Sequence, residues 1–490
     1  MTSVVLHALP LDQLAQLDPE PWRADLLDRV EQGARPVTLY GTPAPTGAEV
    51  FVTAVLEEGP GRLHLSRTLV TRAVGYPELT TTIPALHCFE RELHEQHGVR
   101  FVGHPWLKPI RFEGGDRAAM NGYPFYKIEG KEVHEVAVGP IHAGVIEPGS
   151  FRFMCLGEQV YHLEIHLGYQ HRGVEALLLR GDARKLTPLV ETIAGDTSVA
   201  HAWAYCAALE RLAAIELPLE IEAARGVALE LERIAMHLAG LAGLAADVGF
   251  LQGATTYGRL RTTAINTSML LCGSRFGRGA LRPGGNPLAL DGPRLDTVRR
   301  ALSLLEADLP IINDCFLSAR TVQHRLQGVG ALTETVAREL GLVGMSARAC
   351  GVPLDQRAAG PGIYGVVPVV PCTEPSGDCW ARARLRVAEL DASLRWVRGA
   401  LDRHPAWQAA RARLLALAPS HLVIAVAEGW RGEVVHCLET DAQGGLRHYK
   451  VQDPSLRNWM GLALAVRGND ISDFPICNKS FDLSYCGNDL

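Results

Sequence analysis

Two apolar stripes at helical spacing, set on either side of a proline, constrain this chain more than any other feature. From Val199 to Leu212 and from Glu220 to Leu244 the apolar residues recur every three or four positions, with Pro218 between the two runs. Runs of that length and period read as helices. Pro218 marks the break because its ring removes an amide donor and clashes with the preceding turn. The same pattern predicts helices at Leu295–Leu309, Leu332–Leu340 and Cys379–Leu401, separated by Gly/Pro-rich loops at Arg282–Pro287 and Arg357–Pro375.

The two ends of the chain read differently from this helical middle. Short β-rich runs (PVTLYG, EVFVTAVLEE, GRLHLSRTLV) fill the first part, before a helix around Cys88–Gly98 and a loop from Gly103 to Tyr126. After about Gly139, FRFMCLGEQ and VYHLEIHLGY alternate as strands around a glycine turn, and HLVIAVAEGWRGEVVHCLETD reads as a strand pair turning near Gly429–Gly432. The expected fold class is therefore α+β. A small α/β domain spans residues 1–130, and a mostly helical domain with small β-sheets spans 131–490.

Composition excludes several functions. A chain of 490 residues is too long for one ordinary core. A net charge of −6 leaves no basic excess to neutralise phosphates, so nucleic acid is not the expected partner. Lysine numbers six against forty-two arginines, which reads as a genome-composition bias. The N-terminus shows no basic segment followed by an apolar core, and the longest apolar run, Leu238–Ala246, is too short to span a bilayer. The eleven cysteines are scattered, with the closest pair seven residues apart, so they read as small buried hydrophobes and not as an iron–sulfur framework.

Motifs add a family. FERELHEQHGVRFVGHP, Phe89–Pro105, resembles the signature of the complex I 30-kDa-type subunit, with Glu90, Arg91, Glu92, Gly98, Gly103, His104 and Pro105 in register. His94 stands where that family has Asp, and His97 where it has an aromatic residue. VGPIHAGVIEPG and HLGYQHRGVE resemble the start of the large subunit shared by nickel–iron hydrogenases and complex I, through His142, His171, Arg172, Gly173 and Glu175. Later stretches keep the same order. ELERIAMHL carries Glu230, Arg233 and His237, and GLVGMSARACGVPLDQR carries Arg348, Gly351, Asp355 and Arg357. GDCWARARLRVAEL, EGWRGE and RNWMGLALAVRGNDISDFP complete the series, the last closest to hydrogenase-4 and formate-hydrogenlyase large subunits. A 30-kDa-like module fused ahead of the large-subunit module is also the arrangement of those relatives.

The decisive segment is TIAGDTSVAH, Thr192–His201, where hydrogenases carry RxCGxCxxxH. Gly195 and His201 fix the register, so Ala194 and Thr197 stand at two cysteine positions and Thr192 replaces the arginine. In SFDLSYCGNDL, Asp482 is kept, Ser484 and Gly487 stand at the other two positions, and Cys486 is one residue short. Low-valent nickel and iron need soft anionic thiolates, which alanine and glycine cannot supply and neutral hydroxyls replace poorly.

The resemblance implies a subunit of a membrane-associated, complex I-like or hydrogenase-4-like oxidoreductase without its own metal. It would dock an iron–sulfur small subunit against antiporter-like membrane subunits on the cytoplasmic side. The pocket residues expected to carry chemistry are His142, Asp196, His201, Arg431 and Asp482. Those expected to hold a bound group are His171, Arg172 and Glu175, the last because it helps to hold a structural cation in metal-bearing relatives. Quinone is the candidate small-molecule contact, although Ile193 stands where complex I uses a tyrosine. No metal and no resident cofactor are expected; a hard-metal set of Glu175, Asp196, His201 and Asp482, a purely structural or coupling subunit, and a hydrogenase with an atypical centre are the alternatives.

Overall fold

The first strand, β1 (Val5–Pro10), leaves its sequence neighbours and joins a sheet built from the far end of the chain. The computed structural model describes residues 2–113, 120, 122–130, 132–141, 147–287, 289–414 and 416–490. After β1 comes a module of β2 (Ala15–Leu17), α1 (Pro19–Glu31), β3 (Arg35–Pro43), β4 (Glu49–Glu57), β5 (Leu63–Thr71) and α2 (His87–His97). Its sheet runs β2-β5-β4-β3, antiparallel except for the β2–β5 pair. Gly98 ends α2 at φ +67°, where a side chain would cost energy, and its amide closes on His94.

A meander of β6 (Val133–Val138), β7 (Ser150–Leu156) and β8 (Gln159–His166) leads into the helices. In α3 (Ser198–Leu212) every residue except Arg211 is buried, so the helix runs through the core. Pro218 is the N-cap of α4 (Leu219–Asp247), which packs against α5 (Leu251–Cys272) and α7 (Cys379–Arg403). The sequence stops the next helix at Leu309, but α6 (Gly292–Ser318) runs on through Pro310. Pro310 lies on the exposed face, where water can serve the carbonyl that it leaves unbonded. Helix α5 was not expected: its buried stripe is only Gly253, Tyr257, Leu260, Ala264, Thr267 and Ser268.

The C-terminal sheet has the order β1-β9-β10-β11, with β9 (His421–Glu428), β10 (Glu433–Thr440) and β11 (Leu446–Gln452) following one another as a meander. Helices α8 (Pro454–Ala465), α9 (Phe474–Phe481) and α10 (Tyr485–Asp489) close the chain. One face of this sheet packs on α3, and the other face shares an apolar cluster with the first module. Val37, Tyr40 and Val55 of that module there meet Val5, Leu422, Ile424, Val435 and Cys437 of the sheet. The two modules are thus stitched together, and β1 crosses the boundary expected near residue 130. The fold is α+β, a small α/β module followed by a mostly helical one with small separate sheets. Among the described residues, no helix is long and apolar enough to cross a membrane.

Candidate functional site

The turn before α3, the β9–β10 loop and the last two helices meet around one guanidinium. Arg431 donates through Nη1 to Asp196 Oδ1 at 2.5 Å and through Nη2 to Oδ2 at 2.7 Å. It also donates to Thr197 Oγ1 at 3.2 Å and to the main-chain oxygen of Asp482. Its carbon lies 3.9 Å from the Trp430 ring centroid, and the Trp430 indole donates to the Asp196 carbonyl at 2.9 Å. Burial works against the charge of Arg431, but the Asp196 carboxylate outweighs it and raises the pKa above the ordinary arginine value. Asp482 ends α9 at φ +55°, and its carboxylate faces Arg386 at 3.8 Å. Three of the predicted residues, Asp196, Arg431 and Asp482, therefore come together.

The positions aligned with thiolates lie in the same place. Ala194 and Thr197 are wholly buried. The Ser484 hydroxyl accepts from the Gly487 amide at 2.9 Å, capping α10. A Cβ on Gly487 would lie 2.5 Å from the Asp453 carboxyl carbon and 2.7 Å from both of its oxygens. The space beside Gly487 is filled by a carboxylate. Under the N-terminus of α3, the buried Glu232 accepts from the Val199 amide at 2.7 Å, and burial pushes its pKa up to about 8.

His201 stands one layer deeper, fully buried. Its Nε2 lies 3.2 Å from Asp453 Oδ2 and its Nδ1 lies 3.0 Å from His436 Nε2; His436 Nδ1 lies 2.8 Å from the Tyr449 hydroxyl. Strand alternation explains the placement, because His436 shares the α3-facing side of β10 with Val434 and Leu438, as Tyr449 does in β11 with Val451. Asp453, His436 and Tyr449 were not singled out in the sequence. No short motif holds them, and only the sheet register brings them to His201.

The residues expected to hold a bound group are locked into the protein. The His171 Nδ1 meets the Asp489 carbonyl at 2.7 Å. Arg172 donates to the carbonyls of Thr192, Ile193 and Cys486, bridging the two ligand motifs. Glu175 accepts from the Val451 amide at 2.9 Å and pairs with Lys450 at 3.0 Å, and Lys450 in turn pairs with Glu92 of α2 at 2.6 Å. An ammonium thus neutralises the carboxylate for which a cation was expected. His142 lies outside the described residues. The set Glu175, Asp196, His201 and Asp482 does not converge, and among the described residues no three His, Cys, Asp or Glu side chains form a metal set. Beside Gly195 and Cys486 opens a cleft of about 450 Å³, lined also by Glu147, His171, Arg172, Thr192 and Arg278.

Behind the site lies a buried ionic core from the matched motifs. Glu230 accepts from Arg233, Arg357, Tyr364 and Ser393, and Glu389 binds His237 and Arg348. Each charge there has partners, as burial requires.

The chain joins two modules of known type, a complex I 30-kDa-type domain fused ahead of a complex I 49-kDa-type one. Residues 41–128 match the family model of the respiratory-chain NADH dehydrogenase 30 Kd subunit, and residues 247–423 match that of the 49 Kd subunit. Among individual relatives, formate hydrogenlyase subunit 5 of Escherichia coli (strain K12) is 29% identical over 84% of this chain and 76% of its own. Hydrogenase-4 component G of the same strain is 29% identical over 84% and 75%. An NADH-quinone oxidoreductase subunit of Campylobacter curvus (strain 525.92) is 31% identical over 48% and 58%. A chain in the structure of the membrane-bound sulfane sulfur reductase, an archaeal respiratory membrane complex, superposes with a TM-score of 0.69. It covers 74% of this chain and 100% of its own at 23% identity, a likeness of fold.

Proposed function

We propose that this chain is the large subunit of a complex I-like or hydrogenase-4-like membrane oxidoreductase and carries no nickel–iron centre of its own. It would hold an iron–sulfur subunit against an antiporter-like membrane arm, on the cytoplasmic side. The observation that carries the reading is the donor set. Ala194 and Gly487 offer no ligand atom, the Thr197 and Ser484 hydroxyls are engaged, and Asp453 fills the space beside Gly487. A centre that needs four thiolates does not fit these residues. By their names the relatives include a component of a hydrogenase and a subunit of a quinone-linked NADH oxidoreductase, which supports the same placement.

Isolation of the tagged chain from its own membranes tests this. The expected result is co-isolation of an iron–sulfur subunit and antiporter-like membrane subunits, with nickel far below one per chain. Stoichiometric nickel would overturn the metal-free reading, and recovery of the chain alone would overturn the docking role.

The cleft beside Gly195 favours a quinone contact as the second element of this reading, since it opens at the turn before α3 and is lined by polar and cationic groups. A photoreactive quinone analogue added to the intact complex should label peptides containing Tyr169–Arg172 or Thr192–Gly195. No label there, with assembly still dependent on the chain, leaves a structural and coupling role.

A further inference from the structure

The chain of groups from Asp453 to Tyr449 admits few arrangements of its protons. Asp453 is completely enclosed. Its Oδ1 accepts from the Ser455 amide at 2.8 Å and its Oδ2 faces His201 Nε2, so as a carboxylate it accepts from both. His201 therefore carries a proton on Nε2. Between His201 Nδ1 and His436 Nε2, 3.0 Å apart, one and only one proton can lie. If it belongs to His436, then His436 Nδ1 is a bare acceptor and must take the Tyr449 hydroxyl proton at 2.8 Å. If it belongs to His201, that ring is an imidazolium, and a neutral His436 must carry its own proton on Nδ1 and donate it to the Tyr449 oxygen. Each arrangement satisfies every contact among the four groups, and they differ by one proton.

We propose that Tyr449, His436, His201 and Asp453 form a single proton-storing chain, in which one added proton comes to rest as an imidazolium on His201 while His436 changes tautomer and stays neutral. The step balances. A proton arrives at the Tyr449 oxygen, and Tyr449 passes its hydroxyl proton to His436 Nδ1. His436 passes its Nε2 proton to His201 Nδ1. The His201–Asp453 bond keeps its direction and becomes an ion pair. The surroundings suit both states. Burial works against the charge of Asp453, but His201 above all, then Arg431 from the β9–β10 loop and Ser455 of α8, outweigh it and hold the carboxyl below its ordinary value. Tyr205 and Cys206 of α3, with Cys437 and Glu175 beyond, face Tyr449, and burial holds Tyr449 protonated. Burial and the neighbouring His201 push His436 well below the ordinary histidine value, which keeps it the neutral member.

This inference goes beyond the docking reading, and its test does not depend on the complex. The full chain, labelled with ¹⁵N-histidine, is titrated from about pH 9 to about pH 5, and each ring's tautomer is followed by long-range proton–nitrogen correlation. His436→Gln and His201→Gln assign the two rings. The expected result is one shared transition: His201 gains a proton as His436 moves its own from Nε2 to Nδ1 without charging. Asp453→Asn should move that transition to lower pH by about one unit or more, because the carboxylate that favours the imidazolium is gone. Independent transitions, a His436 that keeps its Nε2 proton while His201 charges, or an unmoved midpoint in Asp453→Asn each overturn the proposal. Any of these leaves the docking reading standing, whereas recovery of the chain without partner subunits sinks that reading and leaves the proton chain intact.

Discussion

At Gly487 a missing side chain and a present one define each other. The Asp453 carboxylate lies where a Cβ would go, so Gly487→Ala should cost about 1–3 kcal/mol as an overpacked site. Gly195→Ala is the control, since the nearest atom to its Cβ is Arg278 Nη2 at 3.7 Å, and it should cost much less. Thermal melts of the two variants decide, and equal losses would remove the steric argument. Glu232 gives the opposite kind of prediction. Its pKa rises from 4.5 to about 8 through burial, with Asp196 adding to it. The folded chain then keeps a proton that the unfolded chain has lost, so stability falls as pH rises from 4.5 toward 8. Glu232→Gln keeps an oxygen for the Val199 amide and removes this penalty. It should equal the wild type near pH 4 and exceed it by on the order of 2–4 kcal/mol near pH 8. Denaturant midpoints across that range check the crossover.

Between elements, Lys450 does what no single helix or strand shows. It projects from β11 to pair with Glu92 of α2 and with Glu175, which sits just after the HRG turn. Burial pushes the Glu92 pKa up, but Lys450 and Arg111 more than offset it and hold it at about 2. A lowered carboxyl stabilises the fold above its unfolded value of 4.5 and stops doing so as pH falls toward 2. Lys450→Met should therefore cost about 3–5 kcal/mol near neutral pH, with the difference from wild type shrinking below about pH 4.5. Adding Glu175→Gln should restore part of it, because that half-buried carboxylate would otherwise lose the ammonium that faces it. A loss that does not change with pH would show that packing alone is at work.

The same pair of elements shows what the sequence could and could not tell. Helices α3, α4 and α7 were legible because each repeats apolar residues at helical spacing, and Gly98 announced the end of α2. Helix α5 was not, because its buried stripe is narrow and largely small or polar. Arg431, Asp196 and Asp482 were legible through motif resemblance, and the structure joins them. Lys450, Asp453, His436 and Tyr449 were not, because what makes each notable is its partner across a sheet, set by register and not by spacing along the chain.

For the whole molecule, the question is whether two modules behave as two. β1 adds to the C-terminal sheet through six residue pairs, so the first strand cannot leave without exposing the edge of β9. Arg35 of β3 binds Glu433 of β10 through Nη1 at 2.8 Å and Nη2 at 2.6 Å while its Nε donates to Glu57 at 2.7 Å. Arg457 of α8 donates to the Pro36 carbonyl at 2.6 Å, and Leu456 enters the core of the first module. Separating the modules would strand these charges in an apolar surface and bare Val37, Tyr40 and Val55. Chains of this length commonly unfold domain by domain. Here the shared core should instead impose one calorimetric transition, with matching van 't Hoff and calorimetric enthalpies. Glu433→Gln should lower its midpoint without splitting it, since the apolar cluster remains. A fragment of residues 1–130 made alone should associate or stay unfolded, because its sheet lacks the covering face that β9 and β10 supply. Two resolved transitions, or a monomeric folded fragment, would mean that the modules only touch.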